Sequence, residues 1–297
     1  MFIDIHAHAY RKPTPFIAFP TAEQVIERYD AGGIEKGALL PVVNPEIYLP
    51  QANEDILEMV ERYPDRFFPF CNIDPRALTN AVDAPLDRLL KYYRDKGCKG
   101  LGEVMPNVPV MDPMVQNLFK HAQAVGLPVT FDGSDRVGGD FGLYDDPGLP
   151  QMEHTLERFP KLIILAHGPV FWSEIGWLET PAQRKPAFRP DGEQVGWRPP
   201  AGPIKEEGAA PKLLRRYANL YGELSDASHA LGRDQEYGPK FLTEFQDRLF
   251  FGTDFCSVGM PFPTLDLLLK WRDTNKISAG VFNKIARENA IKLFDLE

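Results

Sequence analysis

The chain has 297 residues, with 33 Lys plus Arg against 42 Asp plus Glu and a formal net charge of −9. General nucleic-acid binding needs a basic face to neutralise phosphates, so an acidic chain of this kind argues against it. With 43% hydrophobic and 25% charged residues, the composition fits a globular protein with a large core and excludes a disordered or fibrous one.

In chain order, short apolar or β-branched runs alternate with stretches of helical spacing. The predicted strands are Phe2–His6, Gly37–Val42, Phe67–Ile73, Gly100–Val104, Pro128–Asp132, Leu162–His167, Leu220–Leu224 and Leu249–Asp254. Predicted helices lie between them at Thr21–Tyr29, Ala52–Tyr63, Ala84–Lys96, Pro113–Val125, Leu149–Phe159, Lys212–Tyr217 and Pro239–Phe245, followed by Thr264–Trp271 and Ser278–Leu293. Thr21 three residues before Gln24 reads as a capping box, and Asp112 before Pro113 as an N-cap with proline at the first helical position. Strands that alternate with helices predict a parallel sheet, and eight such units predict a TIM (β/α)8 barrel, a single domain over residues 1–297. An open doubly wound sheet would carry a glycine-rich loop after its first strand, where this chain has His6-Ala-His8.

Between the sixth and seventh strands an extended insertion, about residues 168–211, is rich in proline and carries Trp172, Trp177, Trp197, Arg184, Arg189 and Arg198. It is expected to cover the barrel mouth, the alternative being a surface excursion packed on the outside. No window approaches the roughly 18 apolar residues of a membrane helix, and MFIDIHAHAY lacks the pattern of a signal peptide. The expectation is a cytoplasmic protein that associates with no membrane. Cys71, Cys98 and Cys256 form no CxxC pair, so neither a disulfide framework nor a thiolate zinc site is indicated.

The chemistry begins at Asp4-x-His6-x-His8. Residues two apart on a strand face the same side, so both imidazoles can reach one ion. Four further predicted strands end in a group able to bind metal or move a proton: Glu103, Asp132, His167 and Asp254. Parallel strands of a barrel deliver their carboxyl ends to one rim, which makes neighbours of residues scattered along the chain. Packing alone does not explain buried carboxylates and imidazoles after apolar runs, because each is costly unless paired or metal-bound. His121 and His154 fall inside predicted helices, whereas His229 follows the seventh strand near Ser225 and Asp226 and is a candidate substrate contact.

This set resembles the amidohydrolase superfamily, in particular the amidohydrolase-related branch with its aminocarboxymuconate-semialdehyde decarboxylase-like and lactone-hydrolysing enzymes. The closing segment Ala286–Phe294 is similar to that family's carboxyl-terminal signature. The resemblance implies that His6 and His8 bind a divalent metal and that Asp254 is a metal ligand or general base. It implies that His167 polarises substrate or takes a proton, and that Glu103 occupies a position that bridges two metals in some branches. Where the family commonly has a histidine after strand five, this chain has Asp132, which either binds the ion or caps the turn before Gly133.

The expected cofactor is one or two divalent ions, Zn2+ first and Mn2+ second. The expected reaction is metal-dependent hydrolysis of a lactone, ester or amide bond in a small anionic substrate. Arg184, Trp172 and His229 are the expected substrate contacts. Decarboxylation of an aromatic or muconate-type acid is the alternative, and a catalytically degraded scaffold a third reading. Homo-oligomerisation is left open.

Overall fold

The computed structural model describes residues 1–13, 19–46, 51–138, 141–180, 183–184, 187–188, 194–195 and 199–296. Strands β1 (Phe2–Ala7), β2 (Ile34–Leu39) and β3 (Phe67–Pro69) pair in that order. Strands β4 (Leu101–Val104), β5 (Val129–Phe131), β6 (Ile164–Ala166), β7 (Leu220–Glu223) and β8 (Leu249–Phe250) form a second sheet, ordered β8-β7-β6-β5-β4. Every pairing in the two sheets is parallel. Hydrogen bonds also link the sheets at both ends. Cys71 N donates to Gly100 O at 3.0 Å and Gly102 N to Cys71 O at 2.8 Å; Ile5 N donates to Phe251 O at 3.1 Å and His8 N to Phe255 O at 3.1 Å.

Each strand overlaps an apolar run read from the sequence, but β2 begins at Ile34 rather than Gly37, and several predicted strands run too far at the carboxyl end. Asp132, His167 and Asp254 lie past the last residue of β5, β6 and β8, where the backbone has left the ladder. Two short pairings were not foreseen: Gly133–Ser134 with Leu143–Tyr144, and Ala187–Phe188 with Gln194–Val195. The helix Gly168–Ser173 opens the predicted insertion directly after His167, and Arg189, Trp197 and Arg198 lie outside the described residues.

Both faces of the sheets are buried. Ile3, Ile5, Ala38, Leu40, Phe68, Phe70, Leu165 and Phe250 pack with Ala290, Phe294 and Leu296 from the carboxyl-terminal segment. Their neighbours Phe2, Ala7, Leu39, Phe67, Ile164 and Leu249 belong to the larger cluster formed with the helices. Alternate residues facing opposite sides is the period of two that a sheet covered on both faces requires.

The β1–β2 register shifts twice. Phe2 pairs with Ile34 and Ile3 with Lys36, which leaves one extra residue in β2; Asp4 pairs with Gly37 and Ala7 with Leu39, which leaves one extra residue in β1. Such a bulge re-aims the side chains beyond it. Ile3 and Ile5 therefore face the inner cluster, and His6 and His8 face the same interior beyond them. Helix starts follow local chemistry. Thr21 and Gln24 form the capping box of helix Ala22–Gly32, and Asp112 accepts from Met114 N ahead of Pro113. Among the described residues no helix is long and apolar enough to cross a membrane.

Candidate metal centre

His6 Nε2 and His8 Nε2 lie 3.2 Å apart. Glu103 Oε2 is 3.5 Å from each of these nitrogens, while Asp254 Oδ1 is 3.6 Å from His6 Nε2 and 3.3 Å from His8 Nε2. Donors this close together could all reach one ion at about 2.1 Å, the distance zinc takes to imidazole nitrogen and carboxylate oxygen.

The far sides of both rings are engaged. His8 Nδ1 donates to Leu40 O at 2.9 Å, and His6 Nδ1 to Glu223 Oε2 at 3.2 Å. With Nδ1 as the donor in each ring, both Nε2 atoms converge with two carboxylate oxygens on one space, and a cation is what satisfies that set. In the absence of an ion the same carboxylates favour a proton on the imidazoles. Burial and the neighbouring His167 oppose charge on His6, but Glu103 and Glu223 outweigh them and raise its pKa to about 10. His8 and His167 are raised against burial by the same kind of carboxylate contact. The residues present therefore fit a divalent metal.

The backbone places each donor. Asp254 has φ 47°, a left-handed conformation in which aspartate is enriched, and its N–H donates to His6 O at 2.8 Å. The carbonyl of Glu103 is held by Asn72 Nδ2 at 2.5 Å, and the same amide reaches Pro41 O at 3.0 Å. Behind β1, buried Asp4 accepts from His6 N at 2.9 Å, Thr253 N at 3.0 Å and Tyr29 Oη at 2.7 Å. Burial raises its pKa to about 7 against these hydrogen bonds.

A second layer adjoins the first. His167 Nε2 lies 3.3 Å from Glu103 Oε1 and 3.9 Å from Asp226 Oδ2, and its Nδ1 donates to Glu223 Oε2 at 2.6 Å. Asp226 is raised to about 7 by burial, with the charges of Asp254, Glu223 and Asp132 adding and His167 opposing. Asp132 joins Glu103 and His167 in a group whose donor atoms lie within 4.8 Å of one another. The close approach at Gly168, where φ is +86°, admits no side chain, since a Cβ there would stand 2.3 Å from Asp132 Oδ1.

A family profile described as amidohydrolase matches residues 3–296. The chain belongs to the amidohydrolase family. No protein of curated function matches it in sequence. Among solved structures it is similar to a probable 2-pyrone-4,6-dicarboxylic acid hydrolase from Acinetobacter baumannii with citric acid bound, at 13% identity and TM-score 0.59, covering 99% of both chains. It is also similar to 5-carboxyvanillate decarboxylase from Novosphingobium aromaticivorans with bound manganese, at 16% identity and TM-score 0.62, covering 100% of this chain and 97% of that one. A third is 2,6-dihydroxybenzoate decarboxylase from Rhizobium, at 16% identity and TM-score 0.55, covering 99% and 98%. At these identities the likeness shows the α/β fold.

The structure brings together His6, His8, Glu103 and Asp254, with Asp132 and His167 adjacent. Of the three expected substrate contacts, Arg184 and Trp172 are engaged within the protein and His229 follows β7. Arg184 is 1% exposed; its Nε lies 3.1 Å from Glu174 Oε1 and its other nitrogens donate to Asp145 O at 2.7 Å and Asp146 O at 3.2 Å. Trp172 is fully buried, its indole N–H donating to Glu223 O at 2.8 Å. Both side chains are thus engaged within the protein and offer no surface to a ligand in this conformation. His229 sits in the short helix Ser228–Gly232 after β7, and burial pushes its imidazole down to about 4, so it is neutral.

Glu223 was not singled out from the sequence, nor was a role found for Asp226 or Asn72. For Glu223 a signal existed, since it is a glutamate at the end of an apolar strand like Glu103. Ser225 Oγ lies 3.0 Å from His167 Nδ1 and donates to Glu223 Oε2 at 2.7 Å. It therefore sits on the Glu223 side of the imidazole, away from Nε2.

Proposed function

We propose that this protein is a metal-dependent hydrolase that cleaves a C–O or C–N bond of a small anionic substrate, built as one closed (β/α)8 barrel over the whole chain. The hydrogen bonds that join the two sheets at both ends support the closed barrel. The observation that carries the site is the convergence of His6, His8, Glu103 and Asp254, of which only Asp254 meets solvent. Its side chain is 22% exposed, against 0%, 3% and 4% for the other three.

A divalent cation held by these four residues, zinc or manganese, supplies a Lewis acid that polarises a carbonyl and acidifies water. Asp254, on the open side, takes the proton from attacking water and returns it to the leaving oxygen or nitrogen. His167, with Nδ1 fixed on Glu223, presents Nε2 to the oxygen on which negative charge develops. Glu103 faces the first donor set with one oxygen and His167 with the other, so it ties the two halves of the site together.

Decarboxylation is the second reading, favoured by one feature. Asp226 and His167 stand together beside the donor set, and Asp226 keeps its proton to about pH 7, so the pair can protonate a carbanion. Two of the similar solved structures are decarboxylases. A panel of lactones, amides and aromatic acids assayed with zinc and with manganese in 18O-labelled and deuterated water separates the readings. Hydrolysis places one solvent oxygen in the product; decarboxylation releases carbon dioxide and places a solvent hydrogen on carbon. Carbon dioxide release with no oxygen incorporation would overturn the hydrolase reading, and no turnover with either metal would overturn both.

A further inference from the structure

The carboxylate of Glu223 is fully buried, and its Oε2 takes three donors: His6 Nδ1 at 3.2 Å, His167 Nδ1 at 2.6 Å and Ser225 Oγ at 2.7 Å. Its other oxygen accepts from Ser225 N at 2.7 Å. A carboxylate oxygen only accepts, so each imidazole facing it carries its hydrogen on Nδ1 and turns Nε2 toward the donor set. The two rings lie side by side, their centroids 4.2 Å apart.

Three contacts fix the group. Glu223 is the last ladder residue of β7, paired with Phe250, and the Trp172 indole holds its carbonyl at 2.8 Å. Across the strand, a Cβ at Gly252 would stand 1.8 Å from Glu223 Oε1, so only glycine leaves room for the carboxylate.

We propose that Glu223 is a positioning residue that fixes, through one shared oxygen, the tautomer and orientation of both His6 and His167, so that metal retention and proton handling depend on the same buried group. This rests on the metal-dependent reading above. Acceptors behind metal-bound histidines typically govern affinity by about 10–100-fold. In Glu223→Gln the charge that draws three donors to one oxygen is lost, and whichever way the carboxamide turns, its NH2 faces another donor, either Ser225 N or the imidazole N–H groups. In Glu223→Asp the charge stays but the carboxylate withdraws by one methylene, so it cannot span both rings.

The test measures zinc affinity by chelator competition in the purified wild type, Glu223→Gln, Glu223→Asp and a Ser225→Ala control, together with the imidazole N–H signals in nitrogen-15 NMR. Both Glu223 variants are expected to bind zinc about 10–100-fold more weakly and to lose or shift the Nδ1–H signals of His6 and His167 together. The control is expected to keep both signals. Zinc affinity within about threefold of wild type in both variants, with both signals unchanged, would overturn the proposal. If the wild type binds neither zinc nor manganese, the metal-dependent reading falls by itself. The signals of the metal-free protein then decide, their joint loss in Glu223→Gln supporting the positioning role and their persistence overturning it.

Discussion

At Asp254 the chain turns left-handed between two hydrogen bonds, one from its own N–H to His6 O and one from Phe255 N to Thr253 Oγ1 at 3.2 Å. Thr253 is therefore a hinge pin, and its hydroxyl and N–H both donate to Asp4, at 2.5 Å and 3.0 Å. Thr253→Val keeps the volume and removes the hydroxyl, leaving buried Asp4 one donor short. Loss of about 1–3 kcal/mol in denaturant unfolding is expected, and a change below about 0.3 kcal/mol would show that the pin carries nothing. Gly252→Ala is expected to lower both stability and metal retention, since its Cβ would collide with Glu223. Unchanged metal content and melting temperature would contradict the close approach. At this scale His6, His8, Glu103 and Asp254 were readable because each follows an apolar run. The roles of Asp4 and Thr253 were not, because a residue that acts through a hydrogen bond to another leaves no pattern that marks its partner, and Glu223, although it ends an apolar strand as Glu103 does, shows its role only through the two rings it meets.

At the scale of elements, the eight strands were legible from their apolar runs, while their carboxyl ends were misjudged. Site residues continue the apolar pattern after the backbone has stopped pairing, and sequence alone does not mark where the ladder ends. The register shifts between β1 and β2 were likewise hidden, since a bulge depends on the partner strand. The predicted insertion shows an opening helix, and its Arg184 is anchored to Glu174 in a pair with side-chain exposures of 1% and 5%. Breaking such a pair leaves an uncompensated buried charge. Arg184→Met is expected to destabilise by about 3–5 kcal/mol, and adding Glu174→Gln to recover much of it, measured by denaturant unfolding. A loss below about 1 kcal/mol for Arg184→Met would instead return Arg184 to the role of a free substrate contact.

For the whole molecule, the net charge and the buried cluster make stability depend on pH and metal together. The pKa of His6 rises from an ordinary 6.5 to about 10, so its contribution is complete below pH 6.5 and is lost as pH climbs toward 10. Asp4, raised from 3.8 to about 7, loses its contribution as pH rises through that interval. Glu223 is lowered from 4.5 to about 2, burial being outweighed by His167 and His6, so its contribution is lost only in acid, below pH 4.5. The metal-free protein is therefore expected to melt at progressively lower temperature from pH 6.5 to 10. Zinc displaces the cluster's protons, so the increase in melting temperature on adding it is expected to grow with pH. Scanning calorimetry across this range checks both trends, and a metal-free melting temperature that rises over the interval would contradict them.

An ion held by His6, His8, Glu103 and Asp254 is measured most directly as metal content per chain by plasma mass spectrometry. Protein purified without chelator, and protein reconstituted with zinc or manganese, is compared with His6→Ala. About one tightly held ion per chain is expected in the wild type and its loss in the variant, with both proteins folded. No retained ion in the reconstituted wild type, or equal retention in folded His6→Ala, would contradict it.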